Sequence, residues 1–166
     1  MTTAIDHGAL ARLAAELGVM TWFWDTRGQR QAAPPDALWA VVRAMGAPVS
    51  ASGARNELDE LRRFVDAGRA RPVEPVVVAH EGEPVELDVR VPAVGGPERV
   101  VVHLAPETAP PVRVELVLEA LPEVGAVEVD GRRLVVRRAR FDAGPAVGVG
   151  YPPVTVELGG GLHPAT

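Results

Sequence analysis

The hydrophobic pattern of this chain changes period once, and that change constrains the fold more than any other feature of the sequence. Up to about residue 70 the apolar residues recur at helical spacing, and from Val73 onward they alternate with polar residues. The two patterns meet at 68–75, a stretch with two prolines. We therefore predict an α+β fold, in which a small N-terminal helical subdomain over 1–70 precedes an antiparallel, immunoglobulin-like β-sandwich of about seven strands over 71–166.

Three short helices are predicted in the first part. The first ends at Gly18, the second starts at the proline pair 34–35 and ends at Gly46, and the third follows Ser52 as N-cap and ends near Gly68. The residues predicted to face inward are Leu10, Leu13, Ala14 and Leu17 in the first helix, Leu38, Val41, Val42 and Met45 in the second, and Leu58, Leu61, Phe64 and Val65 in the third.

Strands account for the second part, because apolar residues alternate with polar ones between segments rich in proline and glycine. No segment of helical length separates them, so the sheets are expected to be antiparallel. Between two of the strands lies Asp130-Gly131, a pair that favours a tight type I′ hairpin turn. The predicted strands are 75–80, 85–91, 100–104, 112–118, 126–129, 134–141 and 154–158.

The composition argues against several classes of function. With 166 residues, 47% of them hydrophobic, the chain is long and apolar enough to build a core. A formal net charge of -5 argues against nucleic acid as a partner, since affinity for a polyanion comes mainly from excess positive charge. No apolar run approaches the roughly 18 residues of a membrane span, so no membrane association is expected. The absence of cysteine suits a reducing cytoplasm, where we expect the protein to reside.

No residue pattern predicts a catalytic centre, a metal site or a cofactor. The four histidines are scattered without a ligand pair at i, i+4 on a helix, and the two serines lack a G-x-S-x-G elbow. Carboxylates on the predicted strands alternate toward solvent, which gives little reason for the shifted acidity of a glycosidase acid. The arginines of 132–140 divide between the two faces of one strand and do not line a single basic surface.

The most informative segment is 21–28, TWFWDTRG, between the first two helices. Large aromatic side chains bury about 150–250 Å² each, so three adjacent ones must dock against something. One interpretation is that Trp22, Phe23, Trp24 and Trp39 form the small core of the helical part. The other is that one or two tryptophan rings are exposed, to stack on sugar rings or to pack against another domain.

In the first part of the chain, LARLAAELGV is followed by Trp24, Asp25 and Gly28, and then by PPDALWAVVRAMGAPV. These segments, in this order, resemble the start of bacterial 4-alpha-glucanotransferases (amylomaltases). The segments ARNELDELRR and 75–78, PVVV, continue the resemblance over nearly the whole chain. Where the family has Gly-Tyr-His before its last strand, this chain has Gly-Tyr-Pro at 150–152, so the histidine is missing.

The resemblance implies the non-catalytic N-terminal region of such an enzyme, ahead of a catalytic (β/α)₈ barrel. The family transfers 1,4-alpha-glucan segments by a retaining route, with a carboxylate nucleophile and a second carboxylic acid that lie in the barrel. No position of this sequence corresponds to them, so no catalytic residue is carried over, and the family needs no cofactor. The sequence ends about where the family continues toward the barrel, and we expect it to be part of a longer polypeptide.

Three hypotheses for the function follow. The first is an interaction domain that packs against or positions the barrel of the same polypeptide and mediates self-association into a homo-oligomer. The second is a module that binds alpha-glucan, and the third is an unrelated stand-alone enzyme. The candidate contact residues, for carbohydrate or for a neighbouring domain, are Trp22, Trp24, Asp25, Trp39 and Tyr151.

Overall fold

The fold is α+β, as seen in a computed structural model that describes residues 6–50, 55–80, 82–106, 109–142 and 150–165. Within these residues there are three α-helices and nine strands. The chain divides into two compact units, Met1–Arg69 and Ala70–Thr166. The helices and a two-stranded hairpin belong to the first unit, and seven strands belong to the second. That the two units are separate domains stays a prediction.

The helices of the first unit pack around one apolar cluster. They are α1 (His7–Glu16), α2 (Pro35–Ala44) and α3 (Arg55–Arg69). All three predicted helices are confirmed, whereas the predicted N-cap Ser52 lies outside the described residues. The buried members of the cluster are Leu10, Leu13, Ala14, Leu38, Trp39, Val42, Ala47, Val49, Leu61 and Val65.

The first two helices end next to the predicted glycines, and the backbone there shows why glycine is needed. Gly18 has φ 80° and Gly46 has φ 94°, a region that side chains with a Cβ adopt only at a cost. The N–H of Gly18 donates to the carbonyl of Ala15 at 2.9 Å, and that of Val19 donates to the carbonyl of Ala14 at 3.0 Å. These are the two bonds of a Schellman cap, and the equivalent pair closes α2 at Gly46.

The prediction for the inward side of α2 is wrong at two positions. Val41 and Met45 are 42% and 46% exposed, while Leu38 and Val42 are buried as predicted. Trp39 is also buried, at 2% exposure, and has the largest fully buried side chain. Because a helix turns about 100° per residue, burying Trp39 together with Leu38 and Val42 turns the remaining two residues away from the core.

The strands of the second unit form two antiparallel sheets. The three-stranded sheet has the order β3-β7-β6 and the four-stranded sheet the order β5-β4-β8-β9. A single bridge joins Val73 to Val89 at the remaining edge of β3. With Val73 as strand A, these orders are A-B-E-D and C′-C-F-G, the arrangement of an immunoglobulin-like sandwich. The strands are β3 (Val85–Pro92), β4 (Arg99–Leu104), β5 (Val112–Val117), β6 (Glu123–Val129), β7 (Arg132–Phe141), β8 (Val154–Leu158) and β9 (Gly161–Ala165).

Side chains from both sheets meet in one apolar core, with alternate residues of β3 and β4 directed inward. This is the arrangement that the period-two pattern predicts for a sandwich with two wet outer faces. The buried members of the core are Val73, Leu87, Val89, Val91, Val100, Val102, Leu104, Leu118, Val135, Ala139, Phe141, Val156, Leu158 and Ala165.

The predicted hairpin turn at Asp130-Gly131 is confirmed. Both residues have positive φ, 49° for Asp130 and 71° for Gly131, as a type I′ turn requires. Val129 and Arg132 are the paired residues on either side of the turn, which connects β6 to β7.

The predicted strand over 75–80 is wrong, because this segment pairs with no strand in the described residues. Val76 and Val78 are 63% and 80% exposed, and Val77 between them packs against the sandwich core. Alternating valines reflect which side chains are buried, and such alternation arises whether or not a partner strand lies alongside. The sandwich nevertheless has seven strands, because β9 takes the place of the segment 75–80.

Two elements were not predicted, β9 and the hairpin between α1 and α2. Pro164 within β9 has no N–H to donate, which counts against a strand when the sequence is taken alone. The residue is tolerated because β9 lies at the edge of its sheet, next to β8 only.

Candidate interaction surface

An aromatic hairpin, defined here as residues 22–32, connects α1 to α2. Its strands are β1 (Trp22–Trp24) and β2 (Arg30–Ala32), which pair antiparallel with Trp24 opposite Arg30. Among the described residues these two strands pair only with each other. A free-standing pair of strands is marginally stable, so the hairpin depends on its turn and on contacts between its own side chains.

Asp25 organises the turn of the aromatic hairpin. Its Oδ1 accepts hydrogen bonds from the backbone N–H groups of Arg27 at 2.9 Å and Gln29 at 2.8 Å, and its Oδ2 accepts one from the Gln31 side chain at 3.1 Å. These bonds, led by the one from Gln29, lower the pKa of Asp25. Gly28, with φ 70°, completes the reversal of the chain. Asp25 is thus a structural residue of the turn, with its carboxylate oxygens already engaged.

The two tryptophans of β1 lie on one face of the hairpin, because residues two apart on a strand point the same way. The ring centroids of Trp22 and Trp24 are 5.8 Å apart and the ring planes are perpendicular, a favourable edge-to-face contact. The guanidinium carbon of Arg30 lies 4.4 Å from the centroid of the Trp22 ring, within the range of a cation–π interaction. Trp22 is therefore held by a tryptophan and by an arginine of the opposite strand.

The rest of the hairpin presents aromatic surface to solvent. Trp24 is 64% exposed and Phe23, on the other side of β1, is 46% exposed, while Trp22 is half-buried. Exposed tryptophan is typical of contact sites, where burying one large ring contributes much of the binding energy. Because the rings of Trp22 and Trp24 are perpendicular, they do not form one flat platform for successive sugar rings.

The five candidate contact residues fall into three places. The structure brings Trp22, Trp24 and Asp25 together in the aromatic hairpin. Trp39 is in the core of the helical unit, with its indole Nε1 buried and without a hydrogen-bond partner in the described residues. Tyr151 belongs to the second unit and is 87% exposed. The core interpretation of the aromatic cluster thus applies to Trp39, and the contact interpretation fits Trp24.

Three of the described carboxyl groups have a shifted pKa, and the direction of the shift is opposite to that of a glycosidic acid. Such an acid needs a raised pKa, next to a second carboxylate about 5 Å away in a retaining enzyme. The pKa values of Asp25, Asp88 and Glu115 are instead lowered, chiefly by a backbone N–H at the first and by arginine at the other two. The buried Glu57 accepts hydrogen bonds from the backbone N–H and hydroxyl of Ser50 at the start of α3.

Metal chemistry finds no support in the part of the chain that the structure describes, where no group of three or more His, Asp or Glu side chains could hold an ion. Across the same residues, no helix is both long and apolar enough to cross a bilayer.

Sequence reasoning missed Arg30 and the hairpin to which it belongs. A usable signal was present, because an aromatic strand-like run and a second short run are separated by five residues that include Gly28. A connection of that length with glycine is a recognised hairpin pattern.

The fold has a counterpart among solved structures. The crystal structure of amylomaltase from Corynebacterium glutamicum matches 95% of this chain with a TM-score of 0.60 and 24% sequence identity. The chain is similar in fold to part of an amylomaltase. It spans 22% of the length of that protein. No protein-family model matches the chain, and no curated protein matches it either.

The similarity in fold agrees with the sequence resemblance to 4-alpha-glucanotransferases. It shows a fold shared with a region of an amylomaltase. That this chain is the N-terminal region of such an enzyme stays a prediction.

Proposed function

We propose that this chain is a non-catalytic N-terminal accessory domain of a cytoplasmic 4-alpha-glucanotransferase, an enzyme that transfers 1,4-alpha-glucan segments. In this proposal the aromatic hairpin packs against the catalytic (β/α)₈ barrel of the same polypeptide. The observation that carries it is the 64% exposure of Trp24 on a hairpin fastened by its own side chains. Similarity in fold to an amylomaltase over 95% of the chain supports the link to that class of enzyme.

The absence of catalysis by the chain alone is supported by its described acidic groups. The carboxyl pKa shifts at Asp25, Asp88 and Glu115 are all downward, opposite to the shift of a general acid at neutral pH. In this proposal the reactive carboxylates lie in the barrel, as the resemblance to 4-alpha-glucanotransferases implies. Purified chain incubated with maltotriose should release no glucose above the blank, and disproportionation of that sugar would reject this part of the proposal.

The aromatic hairpin is preorganised for docking on the barrel. Asp25 and Arg30 hold the turn and the Trp22 ring in place before any partner arrives, so little conformational entropy is lost on binding. Trp24 and Phe23 then supply the apolar area to be buried. A preorganised aromatic ring at the centre of a contact is the usual anchor of a protein interface.

The test is a titration of this chain with the separately expressed barrel of its parent polypeptide. Isothermal titration calorimetry gives the dissociation constant. We expect association, and Trp24→Ala should weaken it by about tenfold or more, since anchor residues contribute at least that much. Val94→Ala is the matched control, because Val94 is 91% exposed in the second unit and lies outside the hairpin. No association at high micromolar concentration, or equal affinities of the two variants, would reject the barrel as the partner.

A second candidate function is binding of alpha-glucan, favoured by the exposed rings of Trp24 and Tyr151. Sugar faces stack on such rings, and a single exposed ring suffices for weak binding. Titration with maltoheptaose while tryptophan fluorescence is recorded separates this function from docking. A change in the wild type that Trp24→Ala abolishes would support glucan binding. If maltoheptaose leaves the tryptophan fluorescence unchanged while the chain binds the barrel, docking is the function of the hairpin.

A further inference from the structure

Helix α2 is apolar on two sides, which distinguishes it from α1 and α3. Its buried side carries Leu38, Trp39 and Val42. Its exposed side carries a second stripe of apolar residues, with the exposed Asp36 and Arg43 along one flank of it. We name this exposed side the α2 outer face; its residues are Ala37, Ala40, Val41, Ala44 and Met45.

The spacing of the α2 outer face is that of a helix-packing surface. Its five residues follow the spacing i, i+3, i+4, i+7, i+8, which places them in one stripe along the helix. None of them belongs to either apolar core formed by the described residues. Three of the five are alanines, which allow a second helix to approach to about 8 Å between axes. An exposed apolar stripe of this kind, beside an already buried one, is typical of a surface that a neighbour covers.

The two charged residues of α2 lie along one flank of this face. Asp36 lies in the first turn and Arg43 in the last turn, seven residues apart. A separation of seven residues is close to two helical turns, so both side chains lie along the same flank of the stripe. Antiparallel helices that pack face to face bring equal flanks together, and Asp36 of one helix then comes beside Arg43 of the other. The charge pattern is therefore complementary to itself in the antiparallel arrangement.

We propose that a second copy of this chain packs against the α2 outer face, with the two α2 helices antiparallel about a twofold axis. Such an interface is isologous, so each contact occurs twice. Asp36 pairs with Arg43 of the partner subunit, Arg43 pairs with the partner's Asp36, and the antiparallel helix dipoles add a favourable term. The surface is distinct from the aromatic hairpin, and this proposal does not rest on the proposed function.

The first test measures the mass of the 166-residue chain by sedimentation equilibrium from low micromolar to near-millimolar concentration. We expect a monomer–dimer equilibrium that Val41→Glu shifts to monomer, because a carboxylate at the centre of the apolar stripe is left unpaired. Val94→Glu is the control, since it places the same charge at a position 91% exposed in the second unit, and it should leave the dimer intact. A wild-type chain that stays monomeric over the whole concentration range would overturn the proposal. Another domain would then be the candidate that covers the α2 outer face.

The second test exchanges the charges at Asp36 and Arg43. A contact made by apolar side chains alone would not respond to this exchange. Asp36→Arg and Arg43→Asp should each weaken the dimer by about tenfold, because each change sets like charges opposite each other twice. The double variant restores opposite charges and should recover most of the wild-type affinity. Far-UV circular dichroism confirms that each variant is folded. Failure of the double variant to recover would reject the antiparallel arrangement, as would single variants that dimerise as well as the wild type.

Discussion

Arg138 donates two hydrogen bonds to the carboxylate of Asp88, its direct partner across β7 and β3, with Nε–Oδ1 at 2.7 Å and Nη2–Oδ2 at 2.9 Å. The paired geometry joins strands that are 50 residues apart in sequence. The same guanidinium also lies 3.5 Å from Glu86, two residues along β3. Cross-strand pairs of this kind select the register in which β3 and β7 meet.

The ion pair of Asp88 and Arg138 predicts a pH dependence. Hydrogen bonding by Arg138 lowers the pKa of Asp88 although partial burial opposes it. A carboxyl whose pKa is lower in the folded state contributes stability above its unfolded pKa, about 3.9, and this contribution is lost as the pH falls through the folded value. Asp88→Asn should therefore lower the Tm by a few degrees at pH 7, and the difference from the wild type should shrink below about pH 4.

Differential scanning calorimetry at several pH values measures this effect. Glu128→Gln serves as control, because it removes a carboxylate from an exposed position of β6 and leaves the pair of Asp88 and Arg138 intact. A deficit of Asp88→Asn that persists at pH 2 would show that charge is not its cause.

Asp25 should control the order of the aromatic hairpin. Asp25→Ala removes the acceptor of the N–H groups of Arg27 and Gln29, so both amides should exchange hydrogen faster and the tryptophan emission should shift to longer wavelength. Asp25→Asn keeps an oxygen acceptor and should retain most of the protection. Hydrogen exchange followed by NMR resolves these amides. Unchanged exchange at Gln29 in Asp25→Ala would mean that the strands alone hold the turn.

Trp39 and Trp24 should differ widely in the free energy of unfolding that is lost when each side chain is removed. Trp39→Ala should destabilise the chain by about 3–5 kcal/mol, because the side chain fills the centre of the helical core. Trp39→Phe should cost much less, since the lost Nε1–H has no hydrogen-bond partner in the described residues. Trp24→Ala should destabilise by only about 1 kcal/mol, because the ring is mostly exposed and loses chiefly its edge-to-face contact with Trp22. Urea unfolding followed at 222 nm gives all three values, and similar losses for Trp24→Ala and Trp39→Ala would contradict the assignment.

Replacing Gly46 and Gly68 by alanine should change the stability of the chain in opposite directions. A Cβ at Gly46 or Gly68 meets no atom within 4 Å, so packing does not distinguish the two positions. Gly46→Ala forces a side chain into positive φ and should destabilise by about 1–2 kcal/mol. Gly68→Ala, within α3 and without positive φ, should stabilise by about 0.4–1 kcal/mol. Thermal unfolding measures both, and equal signs would contradict the helix ends described above.

The features that could be predicted from the sequence depend on residues close together in the chain. Gly18 and Gly46 mark the ends of α1 and α2 because the backbone conformation required there is open to glycine at little cost. Asp130-Gly131 specifies its turn for the same reason. The alternation along β3 and β4 places their apolar faces without knowledge of the partner strands.

The remaining features depend on residues that the chain brings together from a distance. Three helices, the glycine ends of α1 and α2, one hairpin turn and six of the seven sandwich strands follow from the sequence alone, since local conformational preferences and periodicity suffice for these. That Trp39 is buried while Trp24 is exposed, and that Val73 rather than the valines after it pairs with β3, emerges only once the chain has folded. Burial and strand pairing depend on which distant surfaces compete for contact, and no local pattern encodes that competition.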